Sequence, residues 1–308
     1  MKRSVTTSVL WFTAVAAAMA IAVFQRTTGP TWPVQGQAVV EGKPVQFRFS
    51  RSHTAATPMK VAVRADGPGL SLTLAYRRFR AGDNWSFVAM DWDGDAYSAF
   101  VPGQPPAGKM EYRVYTGSDT NPEYLGPSSI VARFKGEVPA VLLFLHILFM
   151  MAGIVLCVRT GLESLRNQPR LAPLMQSTLT ALIGGGLVFG PLVQKYAFGD
   201  LWTGFPLGTD FTDNKTLLVV LFWIAAYFLY RRSRWWVFAA AVLMIVVTLI
   251  PHSMGGSELD YATGGMKNKF SRQKIGYPAD RHGTAAVLKR VFNQGSTAPA
   301  RITARVPG

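Results

Sequence analysis

The chain has 308 residues, 49 % of them hydrophobic and only 16 % charged, where a soluble protein of this size carries about 25 %. The apolar residues fall in long runs, which excludes an ordinary soluble domain and identifies a membrane protein. The formal net charge of +15 then reads as topology and anionic lipid rather than nucleic acid, because no folded nucleic-acid module stands in the chain.

Residues 1–25 open with Met-Lys-Arg and run into VLWFTAVAAAMAIAVF. This is a signal peptide or an N-terminal membrane anchor. Ala18-Met19-Ala20 supplies a small-residue cleavage site, and the apolar run continuing to Phe24 argues for the anchor.

Residues 26–136 alternate apolar with polar in short runs: VQFRFS, KVAVRA, LSLTLAYRR, WSFVAM, AYSAFV, KMEYRVY and SIVARF. Gly, Pro, Asp and Asn break these runs, the pattern of an exported all-β sandwich of immunoglobulin-like or fibronectin-like size. The acidic run Asp91-Trp92-Asp93-Gly94-Asp95 lacks the spacing and closing glutamate of an EF-hand and reads as a hairpin turn. Arg77, Arg78 and Arg80 read as a solvated strand edge.

Residues 137–252 form a four-helix membrane bundle, with spans at 138–158, 171–193, 216–230 and 235–250. Cys157 lies in the first span, and as the only cysteine it excludes an internal disulfide, a CxxC pair, a CxxCH haem attachment and a thiolate zinc site. Gly184, Gly185 and Gly186 predict a kink or close packing in the second span. The connections 159–170 and 231–234 are arginine-rich and should be cytoplasmic. The chain is then a multi-pass protein of the bacterial inner membrane, with the β-domain and the C-terminal tail outside. That tail, 253–308, is basic and in part disordered, with a basic amphipathic helix expected at 280–292.

The loop 194–215 carries more chemistry than a connection needs. Trp202, Phe198, Phe205 and Tyr196 offer planar faces to a porphyrin or quinone ring. Lys195 and Lys215 bracket the loop and suit propionate carboxylates. Asp210 and Asp213 stand before the next helix, where Thr212 or Asp213 serves as N-cap, so capping accounts for one aspartate only. A solvated loop bridged to itself is the plainer account. His146 lies about 13 Å below the outer boundary of its span, and His252 lies at the outer end of the last span. Two neutral imidazoles on facing helices are what a six-coordinate haem b requires, which makes His146 and His252 the candidate metal ligands. The plainer account makes one a hydrogen-bonded core histidine and the other an interface anchor.

Residues 138–256 resemble the haem-handling membrane proteins of cytochrome c assembly. GDLW followed by DFTDNKTLLVVLFWIAAYFLY is similar to the family's Gly-x-x-Trp, Asp-x-x-acid-x-Thr and apolar helix. LHILFMM at His146 and PHSMGG at His252 are similar to its two outer histidine segments, in the same order. The sequence departs from the pattern at TGFPLG and in having four bundle helices rather than six or more.

The leading expectation is an inner-membrane protein that binds haem b at its outer face, for haem presentation, cytochrome assembly or electron transfer. A different class is a non-enzymatic, membrane-anchored scaffold that meets a protein partner through the β-domain. A quinone-site or transporter subunit ranks third, since the spans carry almost no charge apart from His146. Catalysis is not expected: GxSxG, HExxH and GxxxxGK[ST] are all absent. Besides the lipid bilayer and a protein partner no other associate is implied, and no nucleic acid.

Overall fold

A computed structural model describes residues 2–116, 123–167, 169–251 and 256–267, with side chains described from residue 7 onward. His252, the second expected haem ligand, lies outside the described residues, as do the expected helix at 280–292 and the rest of the tail beyond residue 267.

The chain opens with helix α1, Lys2–Thr28. Eleven strands follow: β1 Val34–Val40, β2 Lys43–Phe49, β3 Ser52–Thr54, β4 Met59–Ala65, β5 Leu72–Arg78, β6 Ser86–Ala89, β7 Asp91–Trp92, β8 Ala96–Val101, β9 Lys109–Thr116, β10 Glu123–Tyr124 and β11 Ile130–Lys135. They form two sheets, ordered β1-β2-β4-β8-β7 and β3-β11-β9-β5-β6, with β10 on β9. All described pairings are antiparallel except β3 with β11. Period-two alternation sends one face of each sheet into a shared core, where Phe49, Met59, Val63, Leu74, Tyr112, Ile130 and Phe134 are fully buried. Each such side chain stabilises the domain by about 1.5–3 kcal/mol.

All seven expected runs are strands. The strand VQGQAVV at β1 was not expected, because Gly36 and two glutamines break its apolar alternation. Gly36 is needed there, since the Phe47 ring lies 2.8 Å from where a Cβ would stand. The acidic run does turn a hairpin between β7 and β8, with Asp93 Oδ1 accepting from the backbone N–H of Asp95 and Ala96. The arginines are less free than a solvated edge: Arg77 and Arg78 lie past the β6 pairing, which ends at Tyr76, and Arg80 is exposed beyond the strand. Arg77 and Arg78 are paired with β9 alone, and their side chains are engaged by Glu111 and Asp83.

The remaining helices are α2 Ala140–Ser164, α3 Leu171–Leu182, a π-helical segment Ile183–Phe189, α4 Gly190–Phe198, α5 Phe211–Leu229 and α6 Trp235–Leu249. Among the described residues, four helical stretches are long and apolar enough to cross a membrane: Thr7–Thr28, Ala140–Ser164, Leu171–Phe198 and Phe211–Leu229. Trp235–Leu249, expected to be a full span, has 15 residues and rises only about 22 Å, short of a ~30 Å core. Helix α1 packs on α2 and α6 through Ala14, Ala18 and Ile21, which follow the i, i+4, i+7 stripe of close helix contact.

The triple glycine lies within the π segment. A Cβ on Gly184 would meet the Phe149 ring at 2.7 Å, and one on Gly186 would meet Thr216 at 2.5 Å. So the π turn lets α2 and α5 approach the same backbone closely from two sides.

Candidate functional site

The β-domain joins the bundle through only four residues, 136–139, yet it is not loosely tethered. Gly136 N–H donates to Ala197 O at the end of α4. The segment 256–267, expected to begin a tail, is instead a clamp. Glu258 is buried and takes both Lys109 of β9 at 2.9 Å and Lys267 at 3.0 Å. Burial pushes the Glu258 carboxyl up, but Lys109 and Lys267 outweigh it and hold it below the usual range. The Tyr261 hydroxyl accepts from Lys109 N–H and donates to Lys109 O, while its ring lies under Arg78.

Below the clamp lies a polar junction. The connection between α4 and α5 is shorter than expected, running from Gly199 to the cap at Asp210. Asp210 itself is the N-cap, not Thr212 or Asp213: Oδ1 accepts from Thr212 N–H at 2.7 Å and Asp213 N–H at 3.4 Å. Its other oxygen accepts from Ser257 N–H and Oγ at 2.6 and 2.8 Å, which pins the clamp to the helix start. Asp213 sits in the first turn and closes the loop. Its Oδ2 accepts from Thr203 N–H, Gly204 N–H, Thr203 Oγ and Gln194 Nε2 between 2.7 and 3.2 Å. Asn214 Oδ1 accepts from Phe205 N–H, so three successive loop N–H groups end on the α5 start. The second aspartate, unexplained by capping, is therefore the loop's anchor.

A cavity of about 100 Å3 opens at this junction. It is lined by Arg133 of β11, His146 and Met150 of α2, Gln194 and Phe198 of α4, and Asp210, Asp213 and Thr216 at the α5 start. Arg133 is 8 % exposed. Its guanidinium lies 5.4 Å from the Phe198 ring centre and, among the described residues, makes no hydrogen bond or ion pair within contact distance. Burial pushes it below its usual range, and Asp210 and Glu258 act against that. His146 lies nearer the start of its helix than expected. It is the seventh residue of α2, about 10 Å from its start. Its Nδ1 lies 2.9 Å from Gly185 O, an acceptor only, so Nδ1 carries the proton and Nε2 keeps its lone pair.

The expected site residues divide. His146, Asp210 and Asp213 share the cavity. Lys215 faces a neighbouring cleft and donates to Ile250 O. Lys195 and Tyr196 are exposed on the last turn of α4, and Phe205 is exposed in the loop. Trp202 donates its indole N–H to Phe205 O and does not line the cavity. Among the described residues, the cavity as it stands does not enclose a porphyrin. The cavity is well below the roughly 300–1,000 Å3 of pockets that enclose a molecule of drug size or larger, and of the planar side chains expected to cover a ring only Phe198 reaches it.

Sequence reasoning missed Arg133, Gln194, Thr203, Ser257, Glu258 and Tyr261. One signal was present. Glu258 and Asp260 are two of the three acidic residues in 253–308, an otherwise basic stretch.

A second polar cluster occupies the far end of the bundle. Arg159 and Glu163, one turn apart on α2, are 4 % exposed in their side chains and lie 2.8 Å apart. The spans are thus less free of charge than the sequence implied, because α2 runs six residues past its expected end at 158.

No protein-family model matches the chain, and no curated protein matches it.

Proposed function

We propose that the chain is a membrane-anchored docking protein whose two-sheet domain, an immunoglobulin- or fibronectin-like sandwich, meets a protein partner outside the bacterial inner membrane. The arginines Arg166, Arg170, Arg231, Arg232 and Arg234 cluster at the bundle end away from that domain, which supports a cytoplasmic far end and an exported domain. The packing of α1 on α2 and α6 supports a retained anchor rather than a cleaved signal.

The observation that carries the reading is the outer face of the β9-β5-β6 sheet. Trp85 is held between Arg113 at 4.0 Å and Arg77 at 4.4 Å, and on the same face Phe87 and Tyr124 pack against Tyr115. Glu111 lies beneath and fixes Arg77 at 2.8 Å. Tryptophan, tyrosine and arginine pre-ordered on one half-buried face, with Tyr124 exposed at its rim, are the chemistry of interface hot spots, and the two cations favour an acidic partner surface. A photo-crosslinking residue at Phe87 should give a discrete adduct in cells, and one at the exposed Val39 of the other sheet should not. Equal labelling at both positions, or none at either, would sink the reading.

A haem-binding reading stands second, and His146 favours it: with Nδ1 on the Gly185 carbonyl, Nε2 is free to ligate. It requires the cavity walls to part, and a reduced-minus-oxidised spectrum of protein made with haem supply tests it. No Soret or α-band rejects it.

A further inference from the structure

Docking through Trp85 leaves the junction cavity without a role. Its volume of about 100 Å3 suits a single ion with a little water. His146 and Met150 stand one helical turn apart on α2, and both line it. The imidazole is already held from behind, since Nδ1–H donates to Gly185 O at 2.9 Å. Metal-ligating histidines have this arrangement: the second nitrogen is fixed by a carbonyl and the free one faces the ion. The thioether also depends on Gly185. A Cβ there would stand 3.0 Å from Met150 Sδ, so the missing side chain leaves room for the sulfur.

An imidazole and a thioether are both uncharged, and the sulfur is soft. Calcium and magnesium demand oxygen ligands, and structural zinc takes four donors of thiolate, imidazole or carboxylate type. Among the described residues, no three of His, Cys, Asp and Glu converge on one point, so a harder divalent ion has no ligand set here. Thioether donors select Cu(I), which accepts few ligands. The charge of the lining points the same way. Asp210 and Asp213 line the cavity beside Arg133, with Lys215 acting on Asp210 from the neighbouring cleft, so carboxylate charge stands ready to offset a monovalent cation. Without those carboxylates, an ion on neutral ligands would be a bare buried charge.

The geometry points to a Cu(I)-binding site at the junction of the β-domain and the bundle, with His146 Nε2 and Met150 Sδ as ligands and the two aspartates supplying charge. This goes beyond partner docking and competes with haem for the same imidazole. The test uses the full chain in lipid nanodiscs under ascorbate, titrated with Cu(I) against the chromogenic chelator bicinchoninate. The wild type should take up one Cu(I) per chain. Met150→Leu, close in volume but without sulfur, and His146→Gln should each weaken uptake about 10–100-fold. No stoichiometric uptake, or unchanged affinity in either variant, overturns the proposal. Should a variant fail to fold, X-ray absorption of the loaded wild type decides. It must show both a sulfur and a nitrogen scatterer on copper, and a sulfur-free shell overturns the site. A Soret band without copper uptake would remove this proposal and leave the haem reading standing.

Discussion

The two ends of the helical bundle both bury charge, but they do so in different ways. At the far end, Arg159 and Glu163 pair at i,i+4 within one helix, and Glu163 also receives Arg166 and the Arg170 N–H from the next few residues. At the domain end, Asp213 and Asp210 collect donors from α4, the loop and a segment 47 residues away in sequence. The first cluster is local and asks little of the fold. The second exists only once the β-domain, the loop and the clamp have all arrived. The far-end pair also has imperfect geometry. Arg159 Nε and Nη1 lack an aligned hydrogen bond, although Nη1 lies close to the carboxylate. Asp213 Oδ2 is over-supplied with donors instead. Burial of charge alone therefore says little about what a cluster does, and its span in sequence says more.

Removing each carboxylate sharpens that contrast, and the largest effect is expected at Asp213. Asp213→Ala leaves the N–H groups of Thr203 and Gly204 without an acceptor in a buried loop, at about 1–3 kcal/mol for each unsatisfied group. Thermal unfolding in detergent should show a loss of about 3 kcal/mol, and protease should cut between residues 199 and 210 in the folded protein. Asp210→Ala comes next, at about 2 kcal/mol. It removes the α5 N-cap and frees Ser257, so part of the loss should show as release of the clamp. Glu163→Ala should cost least, because the long Arg159 side chain sits near the bundle end and can extend to the interface once its partner is gone; a loss of about 3–5 kcal/mol, the usual result of stranding a buried charge, would mean that it stays buried. A Glu163→Ala loss larger than that of Asp213→Ala would reverse the comparison.

The sequence made the local half of this picture readable. Seven strands followed from period-two alternation and the bundle helices from long apolar runs, and the triple glycine marked the place of close packing without revealing the π turn. The end of α2 was misjudged because Arg159 looked like a cytoplasmic stop, whereas Glu163 one turn later lets the helix carry it inward. The polar junction was half legible. Asp210, Asp213 and His146 stood out as chemistry in an apolar context, but their partners did not. Gln194, Thr203 and Ser257 are ordinary residues whose importance comes from meeting in space, and Arg133 sat in a run that read correctly as a strand. Trp202 misled in the opposite direction. Its indole is engaged by its own loop, which composition alone does not reveal.

The clamp offers the finest test, through pH. Glu258 has a folded pKa depressed below its ordinary 4.5, because Lys109 and Lys267 outweigh the cost of burial. A depressed carboxylate contributes stability above its unfolded pKa and loses it as pH falls through the folded one. The contribution should therefore be intact at neutral pH and begin to fade only below about 4.5. Lys109 does not share that window. Burial and Arg133 lower its folded pKa, so its charged form is mildly disfavoured throughout the acidic range. Acid should thus act on the clamp mainly through the buried Glu258, with the exposed Asp260, held low by the Ala262 N–H, fading in the same direction, and the domain end should loosen before the β-core melts. Tyr261, which bonds Lys109 and stacks on Arg78, should gain solvent access in the same window. Glu258→Gln should remove most of this acid step and leave the rest of the unfolding profile in place. An acid transition of equal size in that variant would show that the clamp is not the element that acid releases.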